Sequence, residues 1–175
     1  MERLADYLIV PAGPGDAADL ARLHVECWRE TYAGILPWPY LKAMNTGVHA
    51  RRWRSQLTAA KAGEVVLLAE GPSGLIGYCA GAVEDATAEI FTLYILRSAQ
   101  RGGLGRRLLS AAAQGLTAQG ARSLHLAVLS ENRAARGFYE HLGGAFIGER
   151  PVRGWGGGLM EARYQWRDIR ALIAA

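Results

Sequence analysis

A glycine-rich segment between a β-like run and an amphipathic helix constrains the fold of this chain more than any other feature. The segment covers residues 100–107 and reads QRGGLGRR. Residues 89–96 before it are nearly all apolar or β-branched, which predicts a strand buried on both faces. After it, apolar residues recur every four positions through Leu116, as in a helix. This order predicts a phosphate-binding loop, because glycines let a ligand approach the backbone and the first amides of a helix are unpaired.

The rest of the pattern predicts one mixed α/β sheet with helices on it. Strands are predicted at residues 7–10, 64–70, 75–83, 89–96, 123–129, 145–150 and 159–166. Helices are predicted from Asp16, as N-cap, to before Pro37, then at residues 39–60, from Leu104 onward and at 133–142. No repeat or linker interrupts the chain, so residues 1–175 are expected to form a single domain.

Two other phosphate-binding motifs match the glycine segment poorly. A nucleoside-triphosphate loop requires a Gly-Lys pair followed by Ser or Thr, and the sequence has no Gly-Lys pair. A dinucleotide fingerprint requires a third glycine, where this chain has Leu108, and an acidic residue about 20 positions on, where it has His125. A dinucleotide-binding protein therefore stays as a disfavoured alternative.

The glycine segment and a second motif resemble the GNAT acetyltransferases. Residues 100–105, QRGGLG, are similar to the Q/R-x-x-G-x-G/A signature that binds the pyrophosphate of coenzyme A in that family. Residues 129–143 resemble its next motif, N-x-x-A-x-x-F-Y-x-x-x-G-F, with an additional Gly144 and with Ala145-Phe146 in place of Gly-Phe. Residues 90–95 look like the family's fourth strand, and residues 28–37 are similar to one branch of the family. The resemblance covers about residues 8–166.

The resemblance implies a fold, a co-substrate and a binding site for it. The implied fold is a single mixed, largely antiparallel sheet with a central parallel splay, flanked by helices. The implied co-substrate is acetyl-CoA, with no metal ion. The residues expected to bind it are Leu93, Tyr94, Ile95, Gln100, Arg101, Gly102, Gly103, Leu104, Gly105, Arg106, Asn132 and Ala135.

Two residues are the predicted catalytic groups. Tyr139 matches the family's general acid, and a phenol stays protonated at the pH at which a thiolate leaves. Glu89 opens the predicted strand and would share a face with Phe91 and Leu93, where the family often places a base that acts through water. The competing interpretations are a salt-bridged strand-end glutamate and a tyrosine that only packs in the core. Glu26 on the first helix is the second candidate for the base.

The acceptor is expected to be a primary amine of a small molecule, or of a peptide or protein. Aromatic and acidic residues of the segment that covers the family's acceptor cleft are predicted to bind it, namely Glu26, Trp28, Tyr32 and Trp38. The loop around Trp155 is the second segment expected to set specificity. A catalytically silent acyl-CoA-binding module or sensor is the alternative from another functional class.

Composition and the remaining residue patterns indicate which ligands, partners and compartment to expect. The net charge is +4, and 18 of the 20 basic residues are Arg, which suits a phosphorylated ligand. The basic residues are scattered, so no nucleic-acid partner is expected. Cys27 and Cys79 stand alone, and His24, Glu26 and Cys27 match no metal-site spacing. Without a signal-like or membrane-length apolar run, a cytoplasmic protein with no membrane partner is predicted, and a homodimer is left open.

Overall fold

Among the described residues, seven strands form one sheet in the order β1-β2-β3-β4-β5-β7-β6. The computed structural model describes residues 7–153 and 158–173. The strands are β1 (Leu8–Pro11), β2 (Glu64–Gly71), β3 (Gly74–Glu84), β4 (Thr87–Ile95), β5 (Ser123–Leu129), β6 (Ala145–Pro151) and β7 (Met160–Trp166). The helices are α1 (Ala17–Tyr32), α2 (Trp38–Ala43), α3 (Thr46–Thr58), α4 (Leu104–Ala118) and α5 (Arg133–His141).

One pair of strands differs from all the others in the sheet. The neighbours β4 and β5 run parallel, and every other neighbouring pair is antiparallel. The parallel pairing joins residues 87–90 to residues 123–126 and ends at Ile90 and Leu126. Beyond these two residues the strands continue without pairing to each other. The predicted mixed, largely antiparallel sheet with a central parallel splay is therefore confirmed.

A bulge at Phe91 changes which side chains share a face of β4. Ala80 pairs with Thr92 and Gly81 pairs with Ile90, so Phe91 has no partner on β3. An extra residue in one strand shifts the alternation of the side chains that follow it. Ile90 and Leu93 consequently contact the same core. The expectation that Glu89 shares a face with Leu93 was wrong for this reason.

Two cores lie on opposite faces of the sheet. On one face, α4 buries the residues at its predicted four-residue spacing against β3, β4, β5 and β7. On the other face, α1 and α3 pack on β2 and β3, and the predicted apolar residues Leu20, Leu23 and Cys27 are buried there. Both predicted helix faces are confirmed, because burial of an apolar stripe fixes the orientation of each helix.

Three local predictions require correction. The helix predicted at residues 39–60 is two helices, and Asn45 caps the second by accepting a hydrogen bond from the Val48 amide. Asp16 does not cap α1 with its side chain; its carboxylate accepts from the amide of Gly13 at 2.8 Å. The strand predicted at residues 89–96 is not buried on both faces, since Phe91 is 54% exposed. In the described residues, no helix has the length and apolar character needed to cross a membrane.

Candidate active site

A cavity of about 190 Å³ opens where β4 and β5 separate. Residues 90–94 and 126–129 of the two strands form its floor. Its other walls come from α1, from α5 and from the chain around β7. These wall residues are Trp28, Tyr32, Leu36, Asn132, Ala135, Tyr139, Val152, Leu159 and Glu161. Because the strands no longer pair with each other here, backbone groups of both are available to a bound molecule.

Tyr139 brings the only phenol of α5 to this cavity. Its ring is buried between Phe138 and Trp166, with ring centroids 5.2 and 6.3 Å away. In the described part of the chain, its hydroxyl has no hydrogen-bond partner. Burial, with smaller contributions from Cys79 and Tyr32, holds the pKa of Tyr139 well above the usual value for a phenol. The hydroxyl therefore remains protonated at neutral pH and can donate to a ligand.

The glycine segment forms the turn into α4 as predicted. Gly103 is the N-cap of α4 and has a φ of 85°, in the left-handed region that favours glycine. Gly105 has a different reason to be glycine, because an added Cβ would lie 3.3 Å from the Phe138 ring and 3.4 Å from Ile95. Packing of α4 against β4 and α5 thus favours a glycine at residue 105, whereas backbone conformation favours one at residue 103.

The start of α4 presents the groups of an anion site. In a helix that begins at Leu104, the amides of residues 104–106 have no acceptor within the helix, and the helix dipole is positive there. Arg101 and Arg106 are exposed beside these amides. The side-chain amide of Gln100 donates to the Ile95 carbonyl at 2.9 Å, which ties the segment to the end of β4. Whether these residues bind coenzyme A stays a prediction.

Asn132 joins α5 to the cavity. Its side chain accepts from the Ala135 amide at 3.2 Å and so caps α5. Both Asn132 and Ala135 line the cavity, together with Leu93 and Tyr94 of β4. Four of the predicted cofactor-binding residues are thereby brought together around one space, and the glycine segment lies at the end of the same strand.

Glu89 lies next to the cavity with an unforeseen partner. The register pairs Glu89 with His125 of β5, and Oε2 of the glutamate lies 3.5 Å from Nε2 of the histidine. Ile90 and Leu126, the next residues along the two strands, line the cavity. The Glu89 side chain is 42% exposed, so water reaches it. Sequence alone did not predict this pair, since parallel register between β4 and β5 could not be derived from it.

An aromatic cluster covers the side of the cavity formed by α1. The hydroxyls of Tyr32 and Tyr94 are hydrogen bonded at 2.6 Å, and the rings of Trp28 and Tyr32 meet edge to face at 4.9 Å. Behind them, buried His24 bonds the Tyr78 hydroxyl through Nδ1 at 2.6 Å. Desolvation, and to a lesser degree neighbouring His49, lowers the pKa of His24 to about 4. His24 is consequently neutral at pH 7 and belongs to the packing of this wall.

The structure places only two of the four residues predicted to bind the acceptor at the cavity. Trp28 and Tyr32 line the cavity. Glu26 is exposed on α1 and Trp38 is 59% exposed, and neither lines the cavity. The loop around Trp155, at residues 154–157, lies outside the described residues. The lining carboxylate is instead Glu161 of β7, which sequence reasoning missed.

Both cysteines are buried and protonated. Burial raises the pKa of each thiol to about 12, with neighbouring Glu30 and Glu26 contributing at Cys27. A thiol with so high a pKa supplies almost no thiolate at neutral pH, and the thiolate is the nucleophilic form.

The sequence profile of the Acetyltransferase (GNAT) family matches residues 18–144. The chain belongs to this family. It is accordingly an N-acetyltransferase. The uncharacterized N-acetyltransferase YuaI of Bacillus subtilis is 29% identical over 163 residues, which cover 90% of this chain and 91% of the relative.

Solved structures share the fold at lower identity. The PaiA N-acetyltransferase of Thermoplasma acidophilum, in complex with coenzyme A, has a TM-score of 0.75 and 21% identity over 91% of this chain and 99% of its own. YncA of Salmonella typhimurium, with its cofactor acetyl-CoA, has a TM-score of 0.69 and 21% identity over 91% of this chain and 92% of its own. At this identity the likeness extends to the fold of GNAT enzymes and no further.

Proposed function

We propose that this enzyme transfers an acetyl group from acetyl-CoA to a primary amine of a small molecule, peptide or protein. Acetyl-CoA, when bound, supplies the acetyl group as a thioester. The observation that carries the proposal is the Tyr139 hydroxyl, which has no hydrogen-bond partner among the described residues and lies on a cavity between two splayed strands. A buried, protonated phenol at that place suits the protonation of a leaving thiolate, since a thiol has a pKa near 8.5 and a phenol one near 10.

The start of α4 and the splayed strands support acetyl-CoA as the donor. The amides of residues 104–106 and the exposed Arg101 and Arg106 would hold the pyrophosphate. The backbone of residues 93–95, which in the described residues does not pair with β5, would hold the pantetheine arm in the manner of a strand, and Asn132 would contact the same arm. A backbone amide in this region would polarise the thioester carbonyl.

The proton of the attacking ammonium requires a base, because alkyl amines have a pKa near 10. Glu89 is proposed for this role, acting through water. Its partial exposure and its position one residue beyond the cavity rim support a water-mediated transfer. Glu26, the second candidate, is exposed on α1 and does not line the cavity, so it is less suited.

Direct attack of the amine on the thioester is proposed over an acyl-enzyme. Direct attack is supported by the raised pKa values and complete burial of Cys27 and Cys79, because neither sulfur is ionised or accessible. After incubation with acetyl-CoA alone, intact-protein mass spectrometry should show no acetylated cysteine that disappears when an amine is added. Detection of such an adduct would contradict direct transfer.

The decisive experiment is release of free coenzyme A thiol in the presence of amines. Turnover that depends on the amine, with an N-acetylated product identified by mass spectrometry, is the expected result. Stabilisation of the protein by acetyl-CoA without thiol release for any small amine or amino-terminal peptide would instead favour a silent acyl-CoA-binding module.

A further inference from the structure

The walls of the cavity are almost free of charge. The lining side chains in the described part of the chain are aliphatic, aromatic or neutral amide and hydroxyl groups, with Glu161 as the exception. Among these lining residues there is no Lys, Arg or His. An ammonium ion that enters such a space needs one compensating negative charge, because unpaired charge is strongly unfavourable away from water. Glu161 is the lining group that provides it.

The sheet register directs Glu161 toward the aromatic side of the cavity. Its neighbour Ala162 is buried against the α4 face, so the Glu161 side chain lies on the opposite face, which α1 covers. Glu161 pairs with Leu129 of β5. Leu129 and Leu159 both pack on the cluster formed by Tyr32, Leu36 and Leu41. The carboxylate therefore lies beside the apolar wall of the cavity.

An arginine orients this carboxylate and leaves part of it free. Arg150 of β6 is the register partner of Glu161, and its Nε donates to Oε1. The Arg150 side chain is 54% exposed and the Glu161 side chain is 19% exposed, so solvent screens the cation more than the anion. Within the described residues Oε2 has no hydrogen-bond partner. The ion pair thus fixes the orientation of the carboxylate and leaves Oε2 available to a ligand.

The aromatic wall supplies the rest of the recognition. Trp28, Tyr32 and Tyr94 present ring surface to the cavity, and the Tyr32 and Tyr94 hydroxyls are occupied with each other. Such a wall suits the apolar body of an amine and attracts its cation through the ring faces. A second ammonium group would find no second carboxylate among the lining residues. A carboxylate on the acceptor would find no cation there and would be repelled by Glu161.

We propose that Glu161 binds the ammonium group of the acceptor, and that the acceptor is a small monoamine with an apolar body. This inference rests on the proposed function and adds the substrate class to it. It assigns to Glu161 the role that sequence alone assigned to Glu26. Diamines, polyamines and amino acids are predicted to be poor acceptors.

Matched pairs of amines test whether a second ammonium group or a carboxylate on the acceptor is unfavourable. Hexylamine against 1,6-diaminohexane adds only a second cation, and 2-phenylethylamine against phenylalanine adds only a carboxylate. In the thiol-release assay we expect each monoamine to have a kcat/KM at least about tenfold above that of its partner, because each unpaired charge must be desolvated. A diamine or amino acid that equals or exceeds its monoamine would overturn the substrate class.

Two isosteric variants test the residue. Glu161→Gln keeps the size of the side chain and removes its charge, and should raise the KM for 2-phenylethylamine roughly 10- to 100-fold, the range for a hydrogen bond to a charged group. Coenzyme A affinity measured by calorimetry should not change. The control is Glu149→Gln, since Glu149 is also a β6–β7 carboxylate paired with an arginine, Arg136, but lies on the other face of the sheet. An unchanged KM in Glu161→Gln, or an equal rise in Glu149→Gln, would refute the assignment.

The outcomes separate this inference from the proposed function. Amine-dependent thiol release that is the same in the parent and in Glu161→Gln contradicts only the inference. If no amine is turned over, binding of 2-phenylethylamine to the coenzyme A complex is measured by calorimetry in the parent and in Glu161→Gln. Binding that is lost in the variant supports the inference while the transfer reaction fails, and absent binding overturns the inference as well.

Discussion

At the scale of single residues, the hydroxyl of Tyr139 is the group on which the proposed chemistry most depends. Tyr139→Phe keeps the ring and its contacts with Phe138 and Trp166, and it removes only the oxygen. Since the hydroxyl has no partner in the described residues, stability should change little. Loss of a general acid lowers the rate by about 10²- to 10⁴-fold, and a fairly stable thiolate favours the lower part of that range.

The measurement is kcat for Tyr139→Phe under conditions in which chemistry limits the rate, with coenzyme A affinity and melting temperature as controls. Affinity should stay nearly constant, because the hydroxyl acts on charge that develops in the transition state. A kcat close to that of the parent would leave Tyr139 as a core residue that happens to border the cavity.

The second prediction at this scale concerns Glu89. Glu89→Gln should reduce kcat/KM by about 10²-fold or more near neutral pH, since the variant can no longer accept the proton of the ammonium ion. The loss should shrink as the pH rises toward 10, where the amine deprotonates unaided. Glu84→Gln, an exposed carboxylate at the end of β3, is the matched control. A defect that is equally large at every pH would indicate a structural role for the Glu89–His125 pair.

At the scale of elements, the turn between β4 and α4 contains a left-handed residue, Gly103, and is also proposed to bind coenzyme A. Gly103→Ala should strain a left-handed residue by about 1–2 kcal/mol and displace the first amides of α4. Coenzyme A affinity should consequently fall by about tenfold. Gly120→Ala, at the other end of α4, introduces the same kind of strain at a φ of 100° with open space around it.

The two alanine variants should therefore lose similar stability, and only Gly103→Ala should lose coenzyme A affinity in calorimetry. Equal coenzyme A affinities in both variants would indicate that the glycine turn is not part of the coenzyme A site. A side chain at residue 105 would act differently, because its Cβ would lie 3.3 Å from Phe138 and 3.4 Å from Ile95 and these two side chains would have to shift slightly.

At the scale of the whole molecule, the buried His24 makes stability depend on pH. The folded pKa of about 4 lies below the value of 6.5 for a free histidine, so the unfolded chain binds this proton more readily. The neutral histidine's contribution is complete above pH 6.5 and is lost as the pH falls to about 4. The shift corresponds to a loss of up to about 3 kcal/mol in the free energy of unfolding.

Urea unfolding at pH 7 and pH 5 measures this effect. His24→Gln retains a polar partner for the Tyr78 hydroxyl and cannot titrate, so its stability should fall less between the two pH values than that of the parent. His141→Gln, an exposed position, should behave like the parent. The same pH difference in all three proteins would mean that His24 is already protonated or accessible in the folded state.

Much of the architecture and part of the site were predictable because their signals are local. The four-residue spacing in α4 and the glycine turn before it each depend on neighbours in the sequence. The position of Tyr139 on α5 follows from a short motif that the family profile also covers. These features are confirmed because the helix period and the residues of a turn depend on positions that are close together in the sequence.

The sequence by itself thus determined the order of the elements, the loop at α4, the family and the place of Tyr139 on its helix. Only the tertiary structure decided which carboxylates meet the cavity. A single unpaired residue, Phe91, turns Glu89 away from Leu93, and the parallel register brings His125 to Glu89. Glu161 enters the cavity because β7 pairs with both β5 and β6. Register and bulges arise from contacts between distant segments, so no local pattern contains them.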